Sequence, residues 1–271
     1  MRLAGKTALV TGASRGLGRA LAIKLAERGV AVVGTTRREP PPDWPADVER
    51  VRLDLASPEA FEAGWSEAGL GERAIGLLVN NAGEELFAEF AVAPEEKWRA
   101  QLETHLLAPM ALARRVLPGM IARGEGAIVN VSSLAAAFPI PFMAGYSAAK
   151  AGLSAFSASL RLEAGPAGVG TLDVQPGDFR SDFGARPAGA AFAPERRALA
   201  LAAWQRVARR MARGPSPDRL AARVIEALEA DAWGTLRLGR PFQAVAAPFL
   251  ARFAPEWLKH AAIAAYYKLP R

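Results

Sequence analysis

The sequence predicts an α/β fold, a doubly wound parallel sheet of about seven strands with helices on both faces. Three observations carry this. Short apolar, β-branched runs alternate with helix-length stretches, the pattern of βαβ units. The first such run ends in a glycine-rich turn that opens a helix, the tight junction used by such sheets. With 51% hydrophobic and 23% charged residues among 271, one sizeable core is available, and a disordered, collagenous or coiled-coil chain is excluded.

The elements follow in order. Thr7–Val10 (TALV) is the first strand, and Arg19–Arg28 a helix with Ala20, Leu21, Ile23 and Leu25 on its buried side. Val30–Thr35, Val51–Leu53, Ile75–Val79, Ala127–Val131 and Thr171–Val174 read as the second to sixth strands, and Thr235–Leu238 as a seventh. Helices are expected at Glu59–Ala68, Glu95–Met120 with a break near Pro109, Gly145–Ala164 and Asp218–Glu229. Glu39–Asp47 (EPPPDWPAD) is too proline-rich for either element and reads as a surface loop. Gly184–Pro194 reads as a mobile loop and Pro194–Arg213 as a lid helix with an apolar stripe of Leu201, Trp204, Ala208 and Met211, so that loop and lid span 184–213. No linker divides the chain. Residues 1–271 are therefore expected to form one domain with a C-terminal helical extension, 240–271.

Composition narrows the chemistry. There is no cysteine, which excludes disulfides and thiolate sites, and with only His105 and His260 a histidine-rich metal site is not expected. The start lacks a signal-peptide pattern and no apolar run approaches the length of a membrane span, so a cytoplasmic protein is expected. Charge is uneven. Residues from Arg186 to Arg271 hold 15 Lys/Arg against 6 Asp/Glu, whereas the first 185 residues hold 19 against 21. A basic C-terminal third suits an anionic contact: a phosphorylated cofactor, an acidic carrier protein or a membrane surface. No nucleic-acid motif is visible. In the extension Phe242, Val245, Phe249 and Phe253 recur at helical spacing, disturbed by Pro248, among Arg252, Lys259, Lys268 and Arg271. Packing against the domain or a neighbouring subunit is expected ahead of a membrane-surface helix.

The first turn reads Thr11-Gly12-Ala13-Ser14-Arg15-Gly16-Leu17-Gly18. Its glycines let the backbone approach a pyrophosphate, and the helix N-terminus then offers free N–H groups and a partial positive charge. The spacing is G-x-x-x-G-x-G. Asn80-Asn81-Ala82-Gly83 follows strand four, Ser133 follows strand five, Tyr146-Ser147-Ala148-Ala149-Lys150 follows 13 residues after Ser133, and Pro176-Gly177 follows strand six. In this set and order the chain resembles the short-chain dehydrogenase/reductases, in their short form, from residue 7 to about 183. The resemblance implies a Rossmann-like sheet binding a nicotinamide dinucleotide. It sets Gly12, Ser14, Arg15, Gly16, Leu17 and Gly18 on the phosphates, Asp54 and Leu55 near the adenine, and Asn81, Ala82 and Gly83 against the cofactor. It also assigns Pro176, Gly177 and Phe179 to the cofactor side, and Ser181 to the nicotinamide amide. It further implies a homodimer or homotetramer, packed through the outer faces of the fourth and fifth helices, which carry Leu106, Leu107, Ala111, Leu112 and Val116, then Leu153, Phe156 and Leu160.

Strand two ends in Gly34-Thr35-Thr36-Arg37-Arg38. Thr36 stands where an NAD site carries an acid. With Arg37 following it, Arg38 beyond and Arg15 in the turn, a 2′-phosphate is favoured, so NADP(H) is the expected cofactor.

Tyr146 and Lys150 lie four apart, on one face of a helix. An ammonium ~5 Å from the phenol, at an effective dielectric of ~20, favours the phenolate by about 3 kcal/mol, roughly two pKa units. Tyr146 is thus expected to act as general acid and base. Ser133, in preference to Ser132, is expected to donate to the substrate oxygen. The resemblance also implies a proton relay from the lysine through an asparagine on the fourth helix. His105 occupies that position here and is counted with Ser133, Tyr146 and Lys150 as a catalytic candidate. Leu134, Phe138, Pro139, Phe142 and Met143, then Phe179, Phe183 and Phe192, suggest an apolar pocket for a hydrophobic carbonyl or alcohol. An acyl thioester on an acyl carrier protein is one such substrate. A cofactor-binding redox sensor or scaffold with weak or no turnover is the alternative reading.

Overall fold

A computed structural model describes residues 1–180 and 191–270. Seven strands form one wholly parallel sheet in the order β3-β2-β1-β4-β5-β6-β7. They are β1 Thr7–Val10, β2 Ala31–Thr36, β3 Val48–Arg52, β4 Ile75–Asn80, β5 Gly126–Val131, β6 Val169–Pro176 and β7 Gly234–Leu238. The order reverses between β1 and β4, and a crevice opens there beyond the carboxyl ends of the strands.

Both faces of the sheet are covered, so its inner strands are apolar throughout. Period-two alternation divides them between two cores. Ala8, Val10, Leu77, Val79, Val129 and Val131 face one way, toward Leu21 and Leu25 of α1 (Gly16–Ala26) and, in the C-terminal half, Leu220, Val224 and Leu228. Leu9, Leu78 and Ile128 face the other, toward α2 (Pro58–Glu67) with Phe61 and Trp65 and toward the helices that follow β4 and β5.

The helix expected over Glu95–Met120 is interrupted near Pro109, as expected, just ahead of the proline. α3 (Glu95–Leu102) passes into a π-helical turn, Glu103–Leu107, and then α4 (Ala108–Arg123). Pro109 has no N–H to offer the carbonyl four residues back. The Ala108 N–H reaches instead to Glu103, five residues earlier. That extra residue carries His105 into the interior, where it is almost fully buried.

α5 (Ala144–Ala164) follows β5. α6 (Pro194–Ala212) and α7 (Pro217–Glu229) follow β6. β3 starts earlier than expected, at Val48. Its register with β2 runs from Val32–Val48 to Thr36–Arg52, and as an edge strand it tolerates the polar Glu49 and Arg50. Beyond β7, a π-helical turn (Phe242–Ala246) precedes Pro248 in α8 (Ala247–Ala251), and α9 (Glu256–Tyr267) folds back. No described helix is long and apolar enough to cross a membrane.

Candidate active site

The crevice is a cavity of about 1020 Å³, lined at one end by the β1–α1 turn and at the other by the C-terminal helices. The turn is tight because of its glycines. Gly12 has φ +67°, and a Cβ there would lie 2.9 Å from Ala82 Cα. A Cβ on Gly18 would lie 2.3 Å from both Asn81 Nδ2 and the Gly12 carbonyl oxygen. Thr11 Oγ1 accepts the N–H groups of Asn81 and Ala82 at 2.9 and 3.0 Å, and Asn81 Nδ2 donates back to the Thr11 carbonyl at 3.0 Å. The first turn of α1 has no capping side chain and no acidic residue. Its orphan N–H groups and positive dipole end are left for an anion beside Gly12, Ser14, Arg15, Gly16 and Leu17 on the cavity wall.

Thr36, Arg37, Arg38, Asp54, Leu55, Asn81, Ala82 and Gly83 line the same cavity. Arg37 pairs with Glu84 at 2.8 Å. Asp54 Oδ1 accepts the Ala56 N–H at 3.0 Å. Pro176, Gly177 and Phe179 lie further along the wall, whereas Ser181 and Phe183 lie outside the described residues.

At the end of β5 two adjacent serines separate. Ser132 Oγ turns into the sheet and donates to Asp173 and the Val174 carbonyl. Ser133 accepts the Ala135 N–H at 3.0 Å and hydrogen-bonds Tyr146. Lys150, one turn along α5, holds Nζ 5.8 Å from the centre of the Tyr146 ring and donates to the Val131 carbonyl at 2.7 Å. Behind it lies a carboxylate that the motifs do not signal. Asp173 accepts from Ser132, from Ser154 at 2.5 Å and from Gln175 at 2.9 Å.

The electrostatics differ from the sequence expectation. Burial pushes Tyr146 up to about 12, against the Ser133 hydrogen bond, with the Glu85 charge adding to the rise. Burial pushes Lys150 down to about 7, opposed by the Asp173 charge. Desolvation thus dominates at both groups: the phenol is held in its neutral form, and the ammonium is destabilised until it titrates near neutrality.

His105 lies beside them, its ring edge-on to Tyr146 with centres 5.3 Å apart. Its Nε2 is 2.7 Å from the Glu84 carbonyl oxygen and 3.1 Å from the Glu84 nitrogen. Nδ1 is buried with no hydrogen-bond partner among the described residues. Burial, helped by the Lys150 charge, lowers its pKa to about 3, so the ring is neutral at ordinary pH. Gly83 makes room for it, since a Cβ there would lie 2.4 Å from His105 Cε1.

Leu134, Phe138, Met143 and Phe179 line the apolar half of the cavity, joined by Ile140 and by Val207 and Met211 of α6. Phe142 and Phe192 do not. They pack on Phe87, which also meets Trp204 with ring centres 4.6 Å apart. This cluster fastens α6 behind the wall, and Phe142 adopts φ +63° within it. Pro139 is exposed. The buried side of α6 is Ala200, Ala203 and Trp204, not the full expected stripe. Residues 184–190 of the expected mobile loop lie outside the described residues. The C-terminal extension completes the cavity with Phe242, Gln243, Leu250, Leu258, Ile263 and Tyr266. Gln243 clamps it there, donating to Asp178 at 2.6 Å and Tyr266 Oη at 3.1 Å.

The short chain dehydrogenase family matches residues 6–188. The 3-oxoacyl-acyl-carrier-protein reductase FabG of Vibrio cholerae is 37% identical over 188 residues, covering 68% of this chain and 77% of that protein. The 3-ketodihydrosphingosine reductase of Bacteroides thetaiotaomicron is 34% identical over 179 residues, covering 65% and 64%. A short-chain dehydrogenase structure from Streptomyces avermitilis superposes with TM-score 0.75 at 31% identity over 95% of this chain and 98% of that one. The chain belongs to the short-chain dehydrogenase/reductase family of oxidoreductases.

Proposed function

We propose that the protein is an NADP(H)-dependent oxidoreductase that interconverts a carbonyl and a secondary alcohol on a hydrophobic substrate, with Tyr146 as general acid and base. The observation that carries this reading is the meeting of Ser133, Tyr146 and Lys150 on the wall of one large cavity whose other half is apolar.

A nicotinamide dinucleotide, when bound, supplies or takes up the hydride. The residues present fit it. The uncapped α1 N-terminus suits a pyrophosphate, and Arg15, Arg37 and Arg38 suit a 2′-phosphate, for which Arg37 exchanges its bond to Glu84. Lys150 and Tyr146 face the same space. Ser133 donates to the carbonyl oxygen and stabilises charge growing on it. Tyr146 then gives its phenolic proton to that oxygen. A phenol with pKa about 12 is protonated at neutral pH, the form that can give a proton to the carbonyl oxygen in reduction. Lys150, near 7, exchanges protons at neutral pH. His105 Nδ1 is a neutral buried site beside the ring that can take the relay position.

The cavity wall favours ketones with long apolar bodies. Two relatives, whose names place a 3-oxoacyl thioester and a 3-ketodihydrosphingosine among their substrates, support 3-oxo lipids as the class. The test is NADPH oxidation followed with apolar ketones, aldehydes and 3-oxoacyl thioesters. Turnover of at least one apolar ketone is expected. NADPH binding without turnover of any would overturn the reading in favour of a sensor.

A further inference from the structure

The C-terminal hairpin presents two faces. Its inner face, with Ile263, Tyr266 and Tyr267, closes the cavity. Its outer face is apolar and uncovered: Phe249 is 64% exposed, Phe253 73%, Trp257 70% and Val245 68%. Phe249 and Phe253 stack edge-on at 5.6 Å. Phe242, Leu250 and Leu258 belong to both settings, lining the cavity while largely exposed. The apolar face is therefore continuous with the rim of the cavity. Five cations stand in this segment, Arg240, Arg252, Lys259, Lys268 and Arg271, against the single acid Glu256. Glu256 is already paired with Lys259 at 2.7 Å, whereas Arg252 and Lys268 are exposed and make no ion pair among the described residues.

We propose that this hairpin docks the protein onto a bilayer containing anionic lipid, with the cavity rim against the membrane. Exposed aromatic side chains in a segment of net positive charge fit the headgroup boundary, where ring and cation each find their own environment. A second copy of the chain fits less well, because a two-fold pairing of this face brings like charges together. The hairpin is too short and too interrupted to span. It lies on the surface and opens the cavity to molecules dissolved in the lipid. That last step rests on the hydrophobic substrate proposed above; the docking does not.

The test is co-sedimentation of the full chain with vesicles of equal parts phosphatidylcholine and phosphatidylglycerol, and with phosphatidylcholine alone. Binding to the mixed vesicles, weaker binding to the neutral ones, and loss of anionic preference in Arg252→Glu are expected. Phe249→Ser/Phe253→Ser removes two rings that do not line the cavity. It should lower partition by at least about tenfold while leaving turnover of a water-soluble ketone unchanged. The proposal is overturned if the native chain stays in the supernatant with both vesicles, or if the double variant binds as well as native. It is also overturned if light scattering finds a native dimer that this variant dissociates. Vesicle binding is read without turnover, so a vesicle-binding protein with no reductase activity contradicts the functional reading alone.

Discussion

His105 is a base held neutral by its surroundings. Its folded pKa of about 3 lies below the ordinary 6.5, so the unfolded chain takes up a proton first as pH falls. The stability tied to its neutral form is complete above pH 6.5 and is lost as pH drops toward 3. Between pH 7 and 4 this amounts to roughly 3 kcal/mol. His105→Asn should flatten that part of the acid limb in urea titrations at the two pH values, and should keep or raise activity if His105 occupies the relay position. Arg37 is the second residue with a defined expectation. Losing charge-assisted bonds to a 2′-phosphate, at about 1.5–3 kcal/mol, should make Arg37→Ala bind NADPH about tenfold to a hundredfold more weakly in fluorescence titration, with NADH little changed. Equal weakening of both cofactors, or tighter native binding of NADH, contradicts the assignment. Residue identity alone signalled Thr36, Arg37, Tyr146 and Lys150. It could not signal Glu84, because that carboxylate reaches Arg37 from a different loop, nor Asp173, which reads as an isolated acid within a strand until Ser132 and Ser154 close on it.

At the scale of elements, strands were the most legible, since a sheet buried on both faces demands unbroken apolar runs. The π-helical turn was legible only as a break near Pro109. Proline forecasts a lost hydrogen bond but not whether the helix kinks or gains a residue. Side-chain direction was least legible: Phe142 and Phe192 read as pocket residues, yet the positive φ at Phe142 belongs to an aromatic cluster behind the wall. The outer side of α5 presents Ala144, Ala148, Ala151, Ala155 and Ala158, then Leu162 at 75% exposure. Near α4, Leu107, Met110 and Ile121 are also exposed. Such smooth apolar helix faces allow close packing with a second copy. We therefore expect light scattering at micromolar concentration to give a dimer or tetramer, and a 28.7 kDa species would contradict it.

The whole molecule joins a basic C-terminal third to an acidic-to-neutral sheet core, and the cavity lies between them. The composition shift marked the extension. Its apolar spacing pointed to packing ahead of exposure, and the segment does both, because aromatics stand on several sides of it: Tyr266 lies inside and Phe253 outside.

The central claim is that Tyr146 donates the proton in carbonyl reduction, and Tyr146→Phe tests it most directly. The substitution removes one oxygen from a ring packed beside His105 and Met143, so the fold and NADPH binding should persist. In steady-state NADPH oxidation with the best ketone, kcat should fall by about 10²–10⁴, with KM changed far less, because the bond strengthens in the transition state. A variant that turns the ketone over within a few-fold of the native rate would contradict the account.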